Sequence, residues 1–296
     1  MDLLIFGHRG YAARRVENTI SAFELAAETA GVAGVELDVQ VARDGEIVVV
    51  HDGDLRRLAD DPRRVVDVPS TELATMALHA PGLRQTSPTG ADPTADPTAN
   101  PTGTELTTVG IPTLNTVLDT LPAWMKVDIE LKSYDDTPRD LPERVAELIA
   151  DRGRAGVIVS SFDPRLVRRF RRAIRRQPAA PEPVSTAVIY SQDREVPWFL
   201  RSGLGVALTR SEVAKPSWHT VLSGTSTGRP HRPAGRPRAS QYVWTVNEQD
   251  ILRRLMEADV AGVIGDDPGE LAAWATAIAE RSGEPGDGRR PEMRSE

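Results

Sequence analysis

The stretch that decides the fold is Gly-Val-Glu-Leu-Asp-Val at residues 34–39, where apolar and acidic side chains alternate. Residues 125–132, Met-Lys-Val-Asp-Ile-Glu-Leu-Lys, repeat the pattern. Alternate side chains of a β-strand point to opposite faces, so each strand has one apolar face and one charged face. Strands of a parallel sheet are normally apolar on both faces, because helices cover them. Charges here therefore indicate a polar, functional interior.

Strand-like and helical patterns alternate along most of the chain. Strands are predicted at residues 3–6, 34–39, 125–131, 156–161, 185–189, 204–208, 242–246 and 262–264, with a hairpin return at 47–50. Helices are predicted at residues 17–30, 114–121, 141–152, 164–177, 248–258 and 268–279. Such alternation predicts a parallel sheet, and eight units predict a closed (β/α)8 TIM barrel over residues 1–280.

The alternation is interrupted after the hairpin. Residues 54–110 are predicted to form an insertion into this single domain. Residues 86–104 are of low complexity, and residues 92–102 within them are an imperfect four-residue repeat of Pro, Thr, Ala and Asp. They cannot bury enough apolar surface to offset the entropy of ordering, so this part is predicted to be disordered. The polar stretch 281–296 is predicted to be a disordered tail.

The composition excludes several classes of protein. A net charge of −7 argues against nucleic-acid binding, and the absence of cysteine excludes disulfides and thiolate metal sites. No apolar stretch approaches the ~20 residues of a membrane helix, and no basic segment precedes the first strand, so a cytoplasmic location is expected. The arginine-rich helix at 164–177 is predicted to be a solvated face, with weak docking to anionic lipid as the alternative.

The inward faces of two strands carry the candidate chemistry. Glu36 and Asp38 oppose the apolar face of residues 34–39, and Asp128, Glu130 and Lys132 do so on the second strand. Unpaired charges inside a barrel are costly, which leaves mutual pairing, a bound metal or a bound anion. A buried structural ion network is the alternative to a functional site.

Two histidines are predicted to join these carboxylates. A two-residue turn at Asp44-Gly45 would place Asp38 opposite His51 across the hairpin, although a bulge would shift the register by one residue. His8 follows the first strand, at the end where such barrels carry their active sites. Oxygen ligands suit Mg²⁺ or Ca²⁺, and two imidazoles beside Arg9 suit phosphoryl chemistry. Arg9 as a plain surface cation is the alternative.

An ordered set of motifs resembles the glycerophosphodiester phosphodiesterase family of the PLC-like phosphodiesterase barrels. The motifs are Gly7-His8-Arg9-Gly10, Glu17-Asn18-Thr19, Val35-Glu36-Leu37-Asp38-Val39, Val49-Val50-His51-Asp52, Ile111-Pro112-Thr113-Leu114, Ile129-Glu130-Leu131-Lys132, Ser161-Phe162-Asp163, Val243-Trp244-Thr245-Val246-Asn247 and Asp266-Asp267-Pro268. Val16 and Gly265 depart from the family pattern, and residues 190–240 match it poorly.

The resemblance implies a role for each residue. His8 and His51 would be the acid–base pair, and Glu36, Asp38 and Glu130 would hold one divalent cation, Mg²⁺ or Ca²⁺. Arg9 and Lys132 would bind phosphate. Glu17 would support Arg9, or else would be only a first-turn residue favoured by the helix dipole. Trp244 is assigned either to the strand core or to a contact with the glycerol of the substrate.

The implied activity is hydrolysis of glycerophosphodiesters to glycerol 3-phosphate and an alcohol, a step of lipid and glycerol metabolism. The glycerol 2-hydroxyl would act as nucleophile, giving a cyclic phosphate that water opens. One alternative is lysophospholipase D cleavage, with an apolar groove built partly from residues 198–200 and Trp218. Another is a barrel that binds phosphate esters without turnover, which predicts a missing ligand or histidine. The alcohol, the choice of cation and the oligomeric state stay open.

Overall fold

Eight parallel strands close into a barrel. The computed structural model describes residues 3–79, 110–179, 184–193, 196–223, 232–233 and 239–283. The strands of this part are β1 (Leu4–Gly7), β2 (Gly34–Val41), β3 (Ile47–Val49), β4 (Lys126–Leu131), β5 (Val157–Ser161), β6 (Ser185–Tyr190), β7 (Val213–Pro216), β8 (Ser240–Val243) and β9 (Gly262–Gly265). β1 pairs with both β2 and β9, which closes the barrel, and β3 lies antiparallel to β2 outside the ring. The predicted barrel is confirmed.

Helices follow most strands and cover the barrel. In the described residues they are α1 (Ile20–Glu28), α2 (Arg56–Ala59), α3 (Ser70–Leu73), α4 (Leu114–Thr120), α5 (Leu141–Arg152), α6 (Pro164–Ile174), α7 (Leu204–Thr209), α8 (Trp218–Ser223), α9 (Gln249–Glu257) and α10 (Pro268–Gly283). Thr19 caps α1 by accepting a hydrogen bond from the backbone of Ala22, which fixes where the helix begins. None of these helices is both long enough and apolar enough to cross a membrane.

Apolar clusters pack against both sides of the barrel strands, one outside the ring and one inside it. Val35, Leu37 and Val39 of β2 face outward and pack with the helices, together with the outward residues of β4. A smaller cluster fills the interior of the barrel: Phe6, Ile158, Ala187, Val213, Tyr242 and Ile264. The predicted division of β2 and β4 into an apolar outer face and a charged inner face is confirmed.

The strand predicted at residues 204–208 is wrong. These residues form α7, and the sixth strand of the barrel ring is β7, which carries Lys215. A short apolar run does not distinguish a buried strand from a buried helix. The true strand has only four residues and includes Lys215-Pro216, a pair that is more typical of a loop.

The predicted hairpin register is shifted by one residue. Val39 pairs with Val49, and the backbone N–H of Val50 donates to the carbonyl of Asp38, so Asp38 lies opposite Val50 rather than His51. The loop has three residues, Arg43 to Gly45, and Gly45 has a φ of +89°. A three-residue loop with glycine in the left-handed region is a common alternative to the two-residue turn.

The residues after the hairpin form short elements on their own apolar cluster. Leu55, Leu58, Val65 and Leu73 are buried there, with α2, α3 and a 3₁₀ turn at Val65–Asp67. The low-complexity stretch 86–104 lies outside the described residues, as does 284–296. α10 continues to Gly283, past residue 281 where the tail is predicted to begin.

Candidate active site

Three carboxylates meet at the carboxyl ends of neighbouring strands. Glu36 and Asp38 project inward from β2, and Glu130 projects from β4, where it is paired in register with Asp38. All three are at least 90% buried, and one oxygen from each lies within 4.8 Å of the others. Three convergent carboxylate oxygens are the donors that hard cations such as Mg²⁺ and Ca²⁺ prefer, so the residues present fit such an ion.

Burial and mutual repulsion act on these acids. Burial, and then the charge of Asp38, raise the pKa of Glu36 to about 7. Burial also opposes ionisation of Asp38, but Lys132 and Arg9 outweigh it and hold the pKa of that carboxyl well below its usual range. Asn18 contributes by donating a 2.9 Å hydrogen bond to Asp38. The two neighbours on β2 therefore differ strongly in acidity, as is typical of functional sites.

Both predicted histidines are held by a carboxylate at the same ring nitrogen. His8 Nδ1 is 2.7 Å from Asp266 Oδ1, and His51 Nδ1 is 2.7 Å from Asp52 Oδ1. Burial lowers the pKa of His8, but the hydrogen bond to Asp266 together with the negative charges of Glu36 and Asp266 outweighs it, so the net shift is upward. With Nδ1 engaged, Nε2 is the nitrogen available to a substrate, and His8 Nε2 lies 4.0 Å from Glu36.

Two cations flank the acidic group. Lys132 Nζ is 2.9 Å from Glu130 and 3.3 Å from Asp38. Arg9 lies on the opposite side, with its Nε 3.5 Å from Asp38 and its backbone N–H donating to Glu36 over 3.3 Å. Arg9 has a φ of +52°, a left-handed conformation within the tight loop after β1. These positions suit the binding of an anion next to the carboxylates.

Glu17 lies behind Arg9 and connects it to the second histidine. Its carboxylate accepts a 2.8 Å bond from Arg9 and two bonds from Arg57, at 2.7 and 2.8 Å. Arg57 in turn donates to Asp52, the partner of His51. Arg57 and Asp52 are thus part of the site, although the sequence reasoning gave neither a role.

A second charged group lies beneath the carboxylates. Lys215 Nζ is 2.9 Å from Asp128, 3.1 Å from Ser160 and 4.0 Å from Glu36. Asp128, Ser160 and Lys215, which we call the floor cluster, are at most 2% exposed. Burial opposes the charge of Lys215, but Asp128 and Glu36 raise its pKa overall. Sequence reasoning missed Lys215, because its strand was not recognised.

The site opens into a cavity of about 580 Å³. Eight of the predicted site residues and Lys215 line it: His8, Arg9, Glu36, Asp38, His51, Glu130, Lys132, Trp244 and Lys215. The remaining wall mixes apolar side chains, such as Phe162, Ile189 and Val196, with polar ones. Trp244 and Phe162 meet edge to face, with ring centroids 5.6 Å apart. Trp244 is partly accessible, so its ring belongs to the cavity wall as well as to the core.

The structure therefore brings together eight of the predicted residues in one cavity and sets Glu17 directly behind Arg9.

The residues predicted to build an apolar groove lie in two separate parts of the structure. Trp198 and Phe199 are 79% and 50% exposed and follow directly after the wall residues Val196 and Pro197. Trp218 packs against the cluster around α8 and α9 instead.

Comparison with known proteins gives the family. A family model described as "Glycerophosphoryl diester phosphodiesterase family" matches residues 8–270. The chain belongs to this family. As a member it is an enzyme, a phosphoric diester hydrolase, which argues against a barrel that only binds phosphate esters.

Relatives agree with this assignment. A glycerophosphodiester phosphodiesterase of Caldanaerobacter subterraneus is 25% identical over 92% of this chain and 97% of its own length. The crystal structure of the Thermotoga maritima glycerophosphodiester phosphodiesterase is 25% identical, with a TM-score of 0.65 over 92% of this chain and 98% of that one. An Oleispira antarctica phosphodiesterase, solved with its product sn-glycerol-3-phosphate, shares the fold at 17% identity and a TM-score of 0.65, over 92% of this chain and 96% of that one.

Proposed function

We propose that this family member hydrolyses glycerophosphodiesters to sn-glycerol 3-phosphate and an alcohol, with one divalent cation and two histidines. The observation that carries the proposal is the convergence of three buried carboxylates and two carboxylate-held imidazoles on one cavity. Such a set of groups can bind a phosphodiester and move protons on both sides of its phosphorus.

The charges of the barrel mouth support a cation there. When Glu36 is ionised, the four carboxylates Glu36, Asp38, Asp128 and Glu130 face the three cations Arg9, Lys132 and Lys215, which leaves one unbalanced negative charge. A buried uncompensated charge is unfavourable. A divalent cation would convert this deficit into a net positive charge of one, which matches the single negative charge of a phosphodiester.

Glu36, Asp38 and Glu130 would hold this cation. When bound, it supplies Lewis-acid stabilisation of the charge on the phosphoryl oxygens. Arg9 and Lys132 would hold the remaining phosphoryl oxygen, as cations next to the acidic group. Glu17 would keep Arg9 in place through its 2.8 Å bond. Trp244 would form a wall against which the carbon atoms of glycerol pack.

His8 and His51 would then divide the proton transfers between them. As the glycerol 2-hydroxyl oxygen attacks phosphorus, one imidazole takes its proton. The other imidazole protonates the leaving alcohol oxygen as its bond to phosphorus breaks, giving a cyclic phosphate. The roles reverse in the second step: one imidazole takes a proton from the attacking water, the bond between phosphorus and the 2-oxygen breaks, and the other imidazole returns a proton to that oxygen. Asp266 and Asp52 keep Nε2 of each ring available throughout.

A substrate panel tests the activity and the route. Glycerophosphocholine, -ethanolamine and -inositol are assayed for release of sn-glycerol 3-phosphate, and ³¹P NMR follows the cyclic phosphate. An analogue of glycerophosphocholine that lacks the 2-hydroxyl should not be cleaved. Release from none of the three substrates contradicts the proposed activity. Cleavage of the analogue at the normal rate contradicts the cyclic route only.

One observation favours a second candidate, lysophospholipase D cleavage. Trp198 and Phe199 are exposed beside the cavity wall, where a single acyl chain leaving the cavity would contact them. Replacing both residues by serine should then lower kcat/KM for lysophosphatidylcholine several-fold and leave glycerophosphocholine unchanged. Equal rates of the two enzymes on the lysolipid, or no lysolipid cleavage by either, rule this candidate out.

A further inference from the structure

The floor cluster contains an ammonium group that lies at long ion-pair distance from a proposed cation ligand, without a hydrogen bond to it. Lys215 Nζ is 4.0 Å from Glu36 Oε1 but 2.9 Å from Asp128 Oδ2. Each of the three side chains comes from a different strand, β7, β2 and β4, so their spacing is set by the barrel itself. Lys215 therefore lies near two carboxylates and forms the shorter contact with Asp128.

Ser160 strengthens that preference. Its hydroxyl donates a 2.8 Å bond to Asp128 Oδ1 and accepts a 3.1 Å bond from Lys215 Nζ. Ser160 and Asp128 are fully buried, so neither can exchange these bonds for water. The low dielectric of such a buried site strengthens both hydrogen bonds and the ion pair between Lys215 and Asp128. The ammonium is thus held by Ser160 and Asp128.

This arrangement leaves Glu36 open towards the cavity. Glu36 Oε2 faces the backbone N–H of Arg9 and Nε2 of His8, at 3.3 and 4.0 Å. An ammonium that moved about 1 Å closer to Glu36 would form a charge-assisted hydrogen bond with it. It would then compete with a divalent cation for the same carboxylate. Yet the positive charge of Lys215 is needed to balance the acids of the barrel.

We propose that Asp128 and Ser160 are positioning residues that hold the Lys215 ammonium away from Glu36, so that Lys215 offsets the negative charge without occupying a cation ligand. The inference rests on the proposed cation site of Glu36, Asp38 and Glu130. It assigns a role to three buried residues outside the proposed cation ligands.

Calorimetric titration of the metal-free full-length enzyme with CaCl₂ and with MgCl₂ tests the restraint. Asp128→Asn frees the ammonium to pair with Glu36 and should weaken cation binding by roughly 10- to 100-fold, the usual effect of losing a partner of a ligand. Ser160→Ala should weaken binding by a smaller factor. The double variant Asp128→Asn/Lys215→Met keeps the net charge of the parent and removes the competitor, so binding should recover to within about threefold.

Two controls distinguish the proposed positioning role from a general loss of stability. Asp119→Asn removes a surface carboxylate that pairs with Arg152 and should leave cation binding unchanged. Unfolding by urea reports stability for every variant, so a purely structural role would appear as lost stability with unchanged cation affinity. Normal binding by Asp128→Asn, or equally weak binding by Asp128→Asn and the double variant, overturns the restraint alone. A parent enzyme that binds neither cation removes the proposed metal site, and the restraint with it.

Discussion

His8 and Asp266 are 258 positions apart in the sequence, yet His8 Nδ1 lies 2.7 Å from Asp266 Oδ1. They follow the neighbouring strands β1 and β9, so the closure of the barrel brings them together. His51 obtains the same arrangement from the adjacent Asp52. One histidine is therefore oriented by tertiary structure and the other by local structure, and both leave Nε2 available.

Loss of either imidazole should reduce turnover without unfolding the protein. His8→Ala and His51→Ala are each expected to lower kcat on glycerophosphocholine by at least about 100-fold, since general acid–base catalysis contributes roughly 10²–10⁴. His219→Ala is the matched control, because His219 stacks on Trp218 away from the cavity. Circular dichroism verifies folding. Activity near that of the parent in either catalytic variant would contradict the acid–base roles.

Asp266→Asn should lower the pKa of His8. The hydrogen bond to Asp266 is the largest of the effects that raise this pKa, and burial acts in the opposite direction. An asparagine keeps the shape but not the charge, so His8 should lose its proton at a lower pH. NMR titration of the imidazole signals of metal-free enzyme measures the shift, with Asp52→Asn as a control that should leave His8 unchanged. An equal or higher pKa in Asp266→Asn refutes the assignment.

Cation affinity should fall in acid. In the absence of metal, burial and Asp38 raise the pKa of Glu36 to about 7, so below that pH Glu36 is mainly protonated and must release its proton to bind a cation. The affinity should decrease by up to about tenfold for each pH unit below 7. Calorimetry in buffers of different ionisation enthalpy counts the protons released. Proton release that stays at zero from pH 6 to pH 8 would contradict this coupling.

Removal of the cation should abolish activity. EDTA is expected to lower the rate to the background, and Mg²⁺ or Ca²⁺ to restore it, since the proposed mechanism relies on the cation for charge stabilisation. Asp38→Asn should need more cation for half-maximal rate. Thermal unfolding followed with and without each cation gives a second readout, because ligands of the native state raise Tm. Full activity in EDTA would contradict metal dependence.

Gly10 should tolerate no side chain. Its φ is +84°, and an added Cβ would lie 2.8 Å from the carbonyl carbon of Ala22. Gly10→Ala should therefore lower the free energy of unfolding by about 3 kcal/mol or more, from the left-handed backbone and the clash together. Gly153→Ala has a positive φ but open space, so about 1–2 kcal/mol is expected. Urea denaturation compares them, and equal losses would show that the contact with Ala22 is unimportant.

The sequence was most informative on β2 and β4, where charged residues occupy strand positions that are normally apolar in a parallel barrel. Alternation on β2 and β4 identified Glu36, Asp38 and Glu130 as inward groups, because the period of a strand directly fixes the face of each side chain. Register across the hairpin was less certain. A loop longer by one residue moved Asp38 from His51 to Val50. Asp38 and His51 still line the same cavity, because His51 follows β3 at its edge.

Other contacts could not be derived from local pattern. Lys215 was missed because a four-residue strand ending in proline has no periodic signal, while the run at 204–208 imitates one. The partnership of His8 with Asp266 depends on how the ring closes, which no window of sequence contains. Arg57 reaches the site from the insertion, through Glu17 and Asp52, and its role needed the tertiary structure.

The closure of the barrel also has a consequence for protein synthesis. His8 is synthesised 258 residues before Asp266, which follows β9. A nascent chain that ends before β9 has an open seam between β1 and β8 and a histidine without its carboxylate. We expect chains truncated before residue 262 to be inactive on every substrate, so that hydrolysis begins only after β9 has been synthesised.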